Sequence, residues 1–249
     1  MSSLTLAMIL VAGGGWVDLT WDTALVATHE RAQFGPDLDR TLDQAVAHTT
    51  QTLGVKLSRA VKAHVYTRVT YKTRFGKARA LRTAAHYRAG MIHINGGSTI
   101  DDEFAALVTH EMVHALLDHR GRGTHFPAWF NEGLAERARY QVLGQRTGVP
   151  ARVSELRGAL AKQPLAPLPR RLGLSPAQYV VSWAALVYLV QEHGEKNLLE
   201  IVRRVIDGED FERTFAARTR QGSRLFEKRF RAWAGASSTA SAPIRPGFK

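Results

Sequence analysis

The 249 residues include no cysteine, which excludes a disulfide framework and a cysteine-ligated metal and leaves the redox compartment open. With 34 Lys and Arg against 22 Asp and Glu, the formal net charge is +12, so any partner held by long-range electrostatics is anionic. The length allows a sizeable core, in one large domain or two small ones.

The first apolar run, from Leu4 to Val11 with Ala12 and Gly13–Gly15 behind it, has the look of the hydrophobic core of a signal peptide and is short for a membrane span. No Lys or Arg precedes it, the first basic side chain being Arg31. Export to a periplasm or the outside is expected from the apolar run; a cytoplasmic protein is the alternative, and with no cysteine after the run a lipoprotein anchor is not expected. Between Trp16 and Phe34 the pattern allows a strand. Residues 37–53 place Leu38, Leu42, Ala45, Val46 and Leu53 at helical spacing, and Gly54 ends that helix. Val61 to Tyr66 alternates and reads as a strand. A basic loop follows, and then a short β-like run, Gly90-Met91-Ile92-His93-Ile94-Asn95, expected as the edge of a small sheet.

Between Asp43 and Asp101 there is no acidic residue, while ten basic ones appear: Lys56, Arg59, Lys62, Arg68, Lys72, Arg74, Lys77, Arg79, Arg82 and Arg88. A solvated basic face accounts for this. An electrostatic patch for an anionic membrane or envelope surface, an acidic substrate or another polyanion is the sharper alternative. Nucleic acid ranks last, since no recognition signature accompanies the charge.

From residue 101 the pattern is almost wholly helical. Phe104 to Leu117 is a helical run with apolar residues on most sides, Ser98 or Thr99 as its cap, and Asp101, Asp102 and Glu103 near the positive end of its dipole. A second helix starts near Pro127. Five prolines between 144 and 176 mark part of that span as irregular, and Ser175-Pro176 reads as an N-cap with the first helical residue. Helices are expected at about 176–193, 195–207, 209–217 and 222–234, with a flexible tail over 237–249. The whole is an α+β chain, with a small mixed sheet before residue 100 and a mainly helical remainder.

The chemistry concentrates in His110-Glu111-Met112-Val113-His114. Two histidines four apart share one face of a helix and can reach one metal ion, with Glu111 beside it as a general base. A His/Glu/His stripe inside an apolar helix wants such a partner, because charged groups are seldom buried unpaired. On the second helix Glu132 and Glu136 fall one turn apart on the same face, and a third protein ligand from there leaves one position open, the mark of a catalytic zinc site. The bland alternative is an amphipathic helix whose polar face happens to carry two histidines. His29, His48, His64, His86 and His193 lack motif spacing and read as surface or satisfied core residues, while His119 and His125 flank the turn between the two helices.

With Pro127-Ala128-Trp129-Phe130-Asn131-Glu132-Gly133-Leu134-Ala135-Glu136 added, the sequence resembles the gluzincin zinc metallopeptidases, most nearly the peptidase MA-like domains of bacteria and more distantly the aminopeptidase N family. The resemblance implies a zincin-like domain over 29–236, with an α/β part at 29–100 and a helical part at 101–236, preceded by the apolar segment 1–28. It implies one Zn²⁺ held by His110, His114 and Glu132, with Glu111 activating a water for peptide-bond hydrolysis. It also puts Glu136 behind a zinc-bound histidine. Tyr179, at the opening of a helix that closes with Gly194, takes the place of the tyrosine that donates a hydrogen bond to the oxyanion; Tyr188 is the alternative. The strand carrying Met91, Ile92 and His93 takes the place of the sheet edge along which an extended peptide lies. The His114-to-Glu132 spacing is one residue shorter than in aminopeptidase N relatives, and no Gly-Ala-Met-Glu-Asn-like segment precedes the motif. Endopeptidase action on a peptide or protein is therefore favoured. Two rivals are a zinc-containing binding protein without turnover and an anionic-surface-binding protein acting through residues 56–88. The oligomeric state is open.

Overall fold

The computed structural model describes residues 15–22, 29–118, 125–147 and 175–239. Expectations for the apolar leader, for His119, for most of the proline-rich span and for the last ten residues lie outside these. The chain divides into two compact units, Met1–His119 and Arg120–Lys249. Among the described residues no helix is long and apolar enough to cross a membrane.

The first unit is a four-stranded mixed sheet with helices. Its elements are β1 (Val17–Trp21), α1 (His29–Leu53), β2 (Val61–Tyr66), α2 (Arg68–Phe75), α3 (Lys77–Arg82), β3 (Ala85–Arg88), β4 (Met91–Asn95) and α4 (Asp102–Leu117). The strand order is β1-β2-β4-β3, with β1, β2 and β4 parallel and β3 antiparallel. The period of two sorts the side chains. Leu19, Trp21, Ala63, Val65, Ile92, Ile94 and Ala85 are buried on one face. Against β3 and β4 packs α4, which also packs along α1. The buried stripe of α1, Leu38, Leu42, Ala45, Val46, Thr49 and Leu53, has the expected helical spacing, and the helix stops at Gly54, whose φ of 63° suits the residue beyond a helix end. It runs back to His29 through Pro36, eight residues earlier than the sequence pattern begins.

The other face carries a polar row in register, Thr20, His64, His93 and His86, one from each strand. Tyr71 and Phe75 of α2 contact these rings: Tyr71 against His86, and Phe75 against both His86 and His93. This helix and α3 form where a basic loop is expected. Thr67 caps α2 by accepting from the Thr70 N–H at 2.9 Å, and Gly76, at φ 88°, joins the two helices.

β3 forms where the sequence pattern suggests a loop, and it changes the sheet. β4 is not the edge: its main chain pairs with β2 on one side and β3 on the other. A two-residue turn links β3 to β4, with Ala89 at φ 51° and Gly90 at φ 80°, the double positive φ of a type I′ hairpin. Ala-Gly lacks the Asn-Gly or Asp-Gly signal of that turn, so the strand ahead of it reads as loop.

The second unit is helical: α5 (Ala128–Thr147), α6 (Pro176–His193), α7 (Glu195–Ile206), α8 (Phe211–Thr219) and α9 (Ser223–Thr239). The expected bounds hold within two residues for α6, α7 and α8. α9 runs on through residues 237–239, which were expected in the tail. Ser175 and Pro176 open α6 as expected, the Ser175 N–H donating to the Gln178 side chain at 2.8 Å. Trp129, Phe130, Phe211, Phe215 and Phe226 build an aromatic core. A buried Arg137 ties α5 to the start of α7 through two bonds to Glu195, 2.9 and 2.7 Å long. Gly133 lets α6 lie close on α5. A Cβ there would stand 2.6 Å from the Ser182 carbonyl oxygen and 2.7 Å from Leu186, so no larger residue fits without moving backbone.

Candidate metal centre

The motif helix α4 is capped by Asp101 rather than by Ser98 or Thr99: its carboxylate accepts from the Phe104 N–H at 2.8 Å. The shift makes the helix start later than Ser98 or Thr99 would, with Asp102 and Glu103 kept in its first turn. Two turns on, apolar packing of Val108, Met112, Val113 and Leu116 fixes the helix rotation. His110 and Glu111 are buried and His114 half-buried. The Nε2 atoms of His110 and His114 are 3.1 Å apart, with the rings nearly perpendicular at 81°.

Glu111 is anchored from the sheet. Its Oε2 accepts the backbone N–H of Tyr87 at 2.7 Å. In the hairpin register Tyr87 faces Ile92, a position whose N–H points away from β4 and is therefore available to the helix. The same residue reaches α4 again, its hydroxyl donating to Asp118 Oδ2 at 2.6 Å. Burial, and the Asp118 carboxylate that takes this bond, push the Tyr87 hydroxyl well above its ordinary pKa. Asp118 closes α4, its N–H bonded to the His114 carbonyl. Sequence spacing marks Asp118 only as the end of the motif helix and gives Tyr87 no role. The alternation of Ala85-His86-Tyr87-Arg88 ahead of Ala-Gly is the signal that would have found the strand.

On α5, Glu132 and Glu136 are both buried, one turn apart, and Arg139 lies 3.7 Å from Glu136. One ligand atom each from His110, His114 and Glu132 lies within 4.8 Å of the others; among the described residues this is the single group of three or more His, Asp or Glu so disposed. The donor set suits zinc. Two ligands each about 2.0–2.1 Å from one tetrahedral zinc stand about 3.3 Å apart. The two imidazole nitrogens, at 3.1 Å, are close to that value.

Tyr179 is half-buried in the first turn of α6, one turn before Ser182, whose carbonyl marks the closest approach of Gly133 beside Glu132. Tyr188 is buried among Phe226, Phe230 and Trp233, as the core reading expects. Met91, Ile92 and His93 lie on the interior strand β4, so their main-chain groups are taken by its two neighbours and cannot pair with a peptide. Ile92 is buried, and His93 is bonded to the Tyr66 hydroxyl at 2.9 Å and to the Arg88 carbonyl at 3.2 Å.

Compared with known proteins, the chain matches no family model and no curated protein.

Proposed function

We propose that this protein is a zinc-dependent endopeptidase of the gluzincin kind. The observation that carries the reading is the His110, His114 and Glu132 group within 4.8 Å, with Glu111 on the same helix as two of its members. Three ligands of this chemistry leave a tetrahedral ion one open position, which a structural site does not have. Bound there, zinc supplies Lewis acidity toward a peptide carbonyl and makes water a nucleophile near neutral pH.

The remaining work falls to side chains. Glu111 takes the proton of the attacking water and hands it to the leaving amine, as a general base and then a general acid. The Tyr87 N–H on Oε2 fixes the carboxylate, so Oε1 is the oxygen that moves the proton. Tyr179 donates a hydrogen bond to the oxyanion that develops on the substrate. Glu136 orients a ligand histidine. β3, not β4, ends the sheet on this side, and its outward Tyr87 N–H is spent on Glu111 rather than on a peptide.

Incubation of the zinc-loaded protein with a diverse peptide mixture, read by mass spectrometry, tests this. Internal cuts are expected, absent with chelator and absent in Glu111→Gln, which still binds one zinc. Turnover by Glu111→Gln at the native rate, or a native chain that takes up no zinc, overturns the reading.

A further inference from the structure

All ten basic side chains between residues 56 and 88 are exposed. Apart from Arg59, none of them is ion-paired among the described residues. Five arginines of the second unit differ: Arg137, Arg203, Arg204, Arg218 and Arg231 each meet a glutamate. An uncompensated set of this size repels itself, and an anionic partner relieves that repulsion.

Six of these cations, Arg68, Lys72, Arg74, Lys77, Arg79 and Arg82, are on α2 and α3. The same two helices carry Val69, 74% exposed, and Leu81, 67% exposed, the two most exposed large hydrophobic side chains among the described residues. On α2 the apolar anchors toward the sheet are Tyr71 and Phe75, and Val69 is turned away from them on the helical wheel. Either feature alone is ordinary, since a lone exposed Val or a basic face needs no partner. Together they select a partner. A nucleic acid or sulfated polymer rewards the charges and gains nothing from Val69 and Leu81, and the nearby rings offer no stacking platform because Tyr71 is buried and Phe75 half-buried. An anionic bilayer rewards both, with cations among the headgroups and apolar side chains at the acyl boundary.

We infer that the α2–α3 surface is a peripheral docking site for an anionic lipid bilayer. It uses none of the metal-site residues and stands independently of the peptidase reading. Each cation near such a surface contributes about fivefold in affinity, and the attraction fades as the screening length shrinks.

Vesicle co-sedimentation of the full chain tests it. Binding is expected to vesicles of phosphatidylcholine with phosphatidylserine, weak binding to phosphatidylcholine alone, and release at high salt. Val69→Ser with Leu81→Ser keeps the charge and should weaken binding roughly tenfold. Lys72→Glu with Lys77→Glu should weaken it more than about a hundredfold. All four positions are exposed, so thermal unfolding of the variants should match the native chain and separates docking from folding. Failure to bind the anionic vesicles overturns the proposal. So does undiminished binding by the Val69→Ser, Leu81→Ser variant, which would mark the surface as a site for a soluble polyanion instead.

Discussion

Two sets of histidines in the first unit have opposite surroundings. His64, His93 and His86 lie side by side across the sheet, and each Nδ1 is bonded to a hydroxyl, from Thr20 at 2.7 Å, Tyr66 at 2.9 Å and Tyr71 at 2.7 Å respectively. Burial holds all three below the ordinary histidine pKa, helped by nearby cations: Arg74 for His64 and His93, and Arg79 and Arg88 for His86, which is lowered to about 3. His110 and His114 instead meet Nε2 to Nε2 on one helix, within 4.8 Å of a carboxylate oxygen of Glu132. Neutral hydroxyls and repelling arginines make a histidine structural. Convergent nitrogens beside a carboxylate make a donor set for a cation. Count and proximity of histidines therefore do not identify a metal site; what each ring nitrogen faces does.

Exchange of the two sets is the most forceful way to break this comparison. His114→Ala should lower zinc affinity by more than about a hundredfold, since loss of a mere supporting group already costs about 10–100-fold. His93→Gln should leave zinc affinity within about twofold of native while lowering stability, because it disturbs the Tyr66 bond and the stack on His86. Isothermal titration with zinc reads both. Equal losses in the two variants would erase the distinction.

The parts of this site that were legible in the sequence are those encoded by local spacing. His110, Glu111 and His114 share a helix, Glu132 and Glu136 share another, and the i, i+4 geometry follows without tertiary knowledge. The same holds for the stripe of α1 and for α6, with Ser175 and Pro176 at its start. What stayed hidden depends on pairing across the chain. β3 is four residues long and enters through an Ala-Gly turn, and without it β4 reads as the edge. α2 is eight residues, five of them β-branched or aromatic, and owes its form to the Thr67 cap and to Tyr71 and Phe75 packing on the histidine row. The Tyr87 anchor of Glu111 needed that strand to be seen first.

Acid sensitivity sharpens the comparison from the structural side. The unfolded chain protonates these histidines near pH 6.5, while the folded chain keeps them neutral to lower pH. Their contribution is thus complete above about pH 6.5 and is lost as pH falls from there, through a window that for His86 reaches down to about 3. Each neutral histidine steepens the loss by at most about 1.4 kcal/mol per pH unit. Urea unfolding of the metal-free chain between pH 7.5 and 4.5 should show the decline, and His86→Leu should flatten it. A variant with the native slope would show that this ring is not held neutral by the fold.

The smallest expected effect lies where the histidine row and the hold on Glu111 come from neighbouring residues. His86 belongs to the sheet row, and its neighbour Tyr87 holds Glu111 through its backbone and Asp118 through its hydroxyl. Alternation sends these consecutive side chains to opposite faces, so one short strand serves both the histidine row and the motif helix. Tyr87→Phe keeps the strand and the N–H donor but removes the hydroxyl tie to Asp118. The helix then loses one of two fixings to β3, and Glu111 samples a wider range of positions. A hydrogen bond to a charged acceptor of this kind contributes about 1.5 kcal/mol, of which a part reaches the positioned carboxylate. The expected outcome is a kcat about fivefold lower, with KM and zinc affinity unchanged, since neither the ligands nor the substrate contacts are touched. Asp118→Asn in the native chain, whose amide oxygen still accepts from Tyr87, should keep most of the native rate. A rise in KM with kcat intact would place Tyr87 in substrate binding, and equal rates in Tyr87→Phe and the native chain would leave the backbone N–H as the sole anchor of the base.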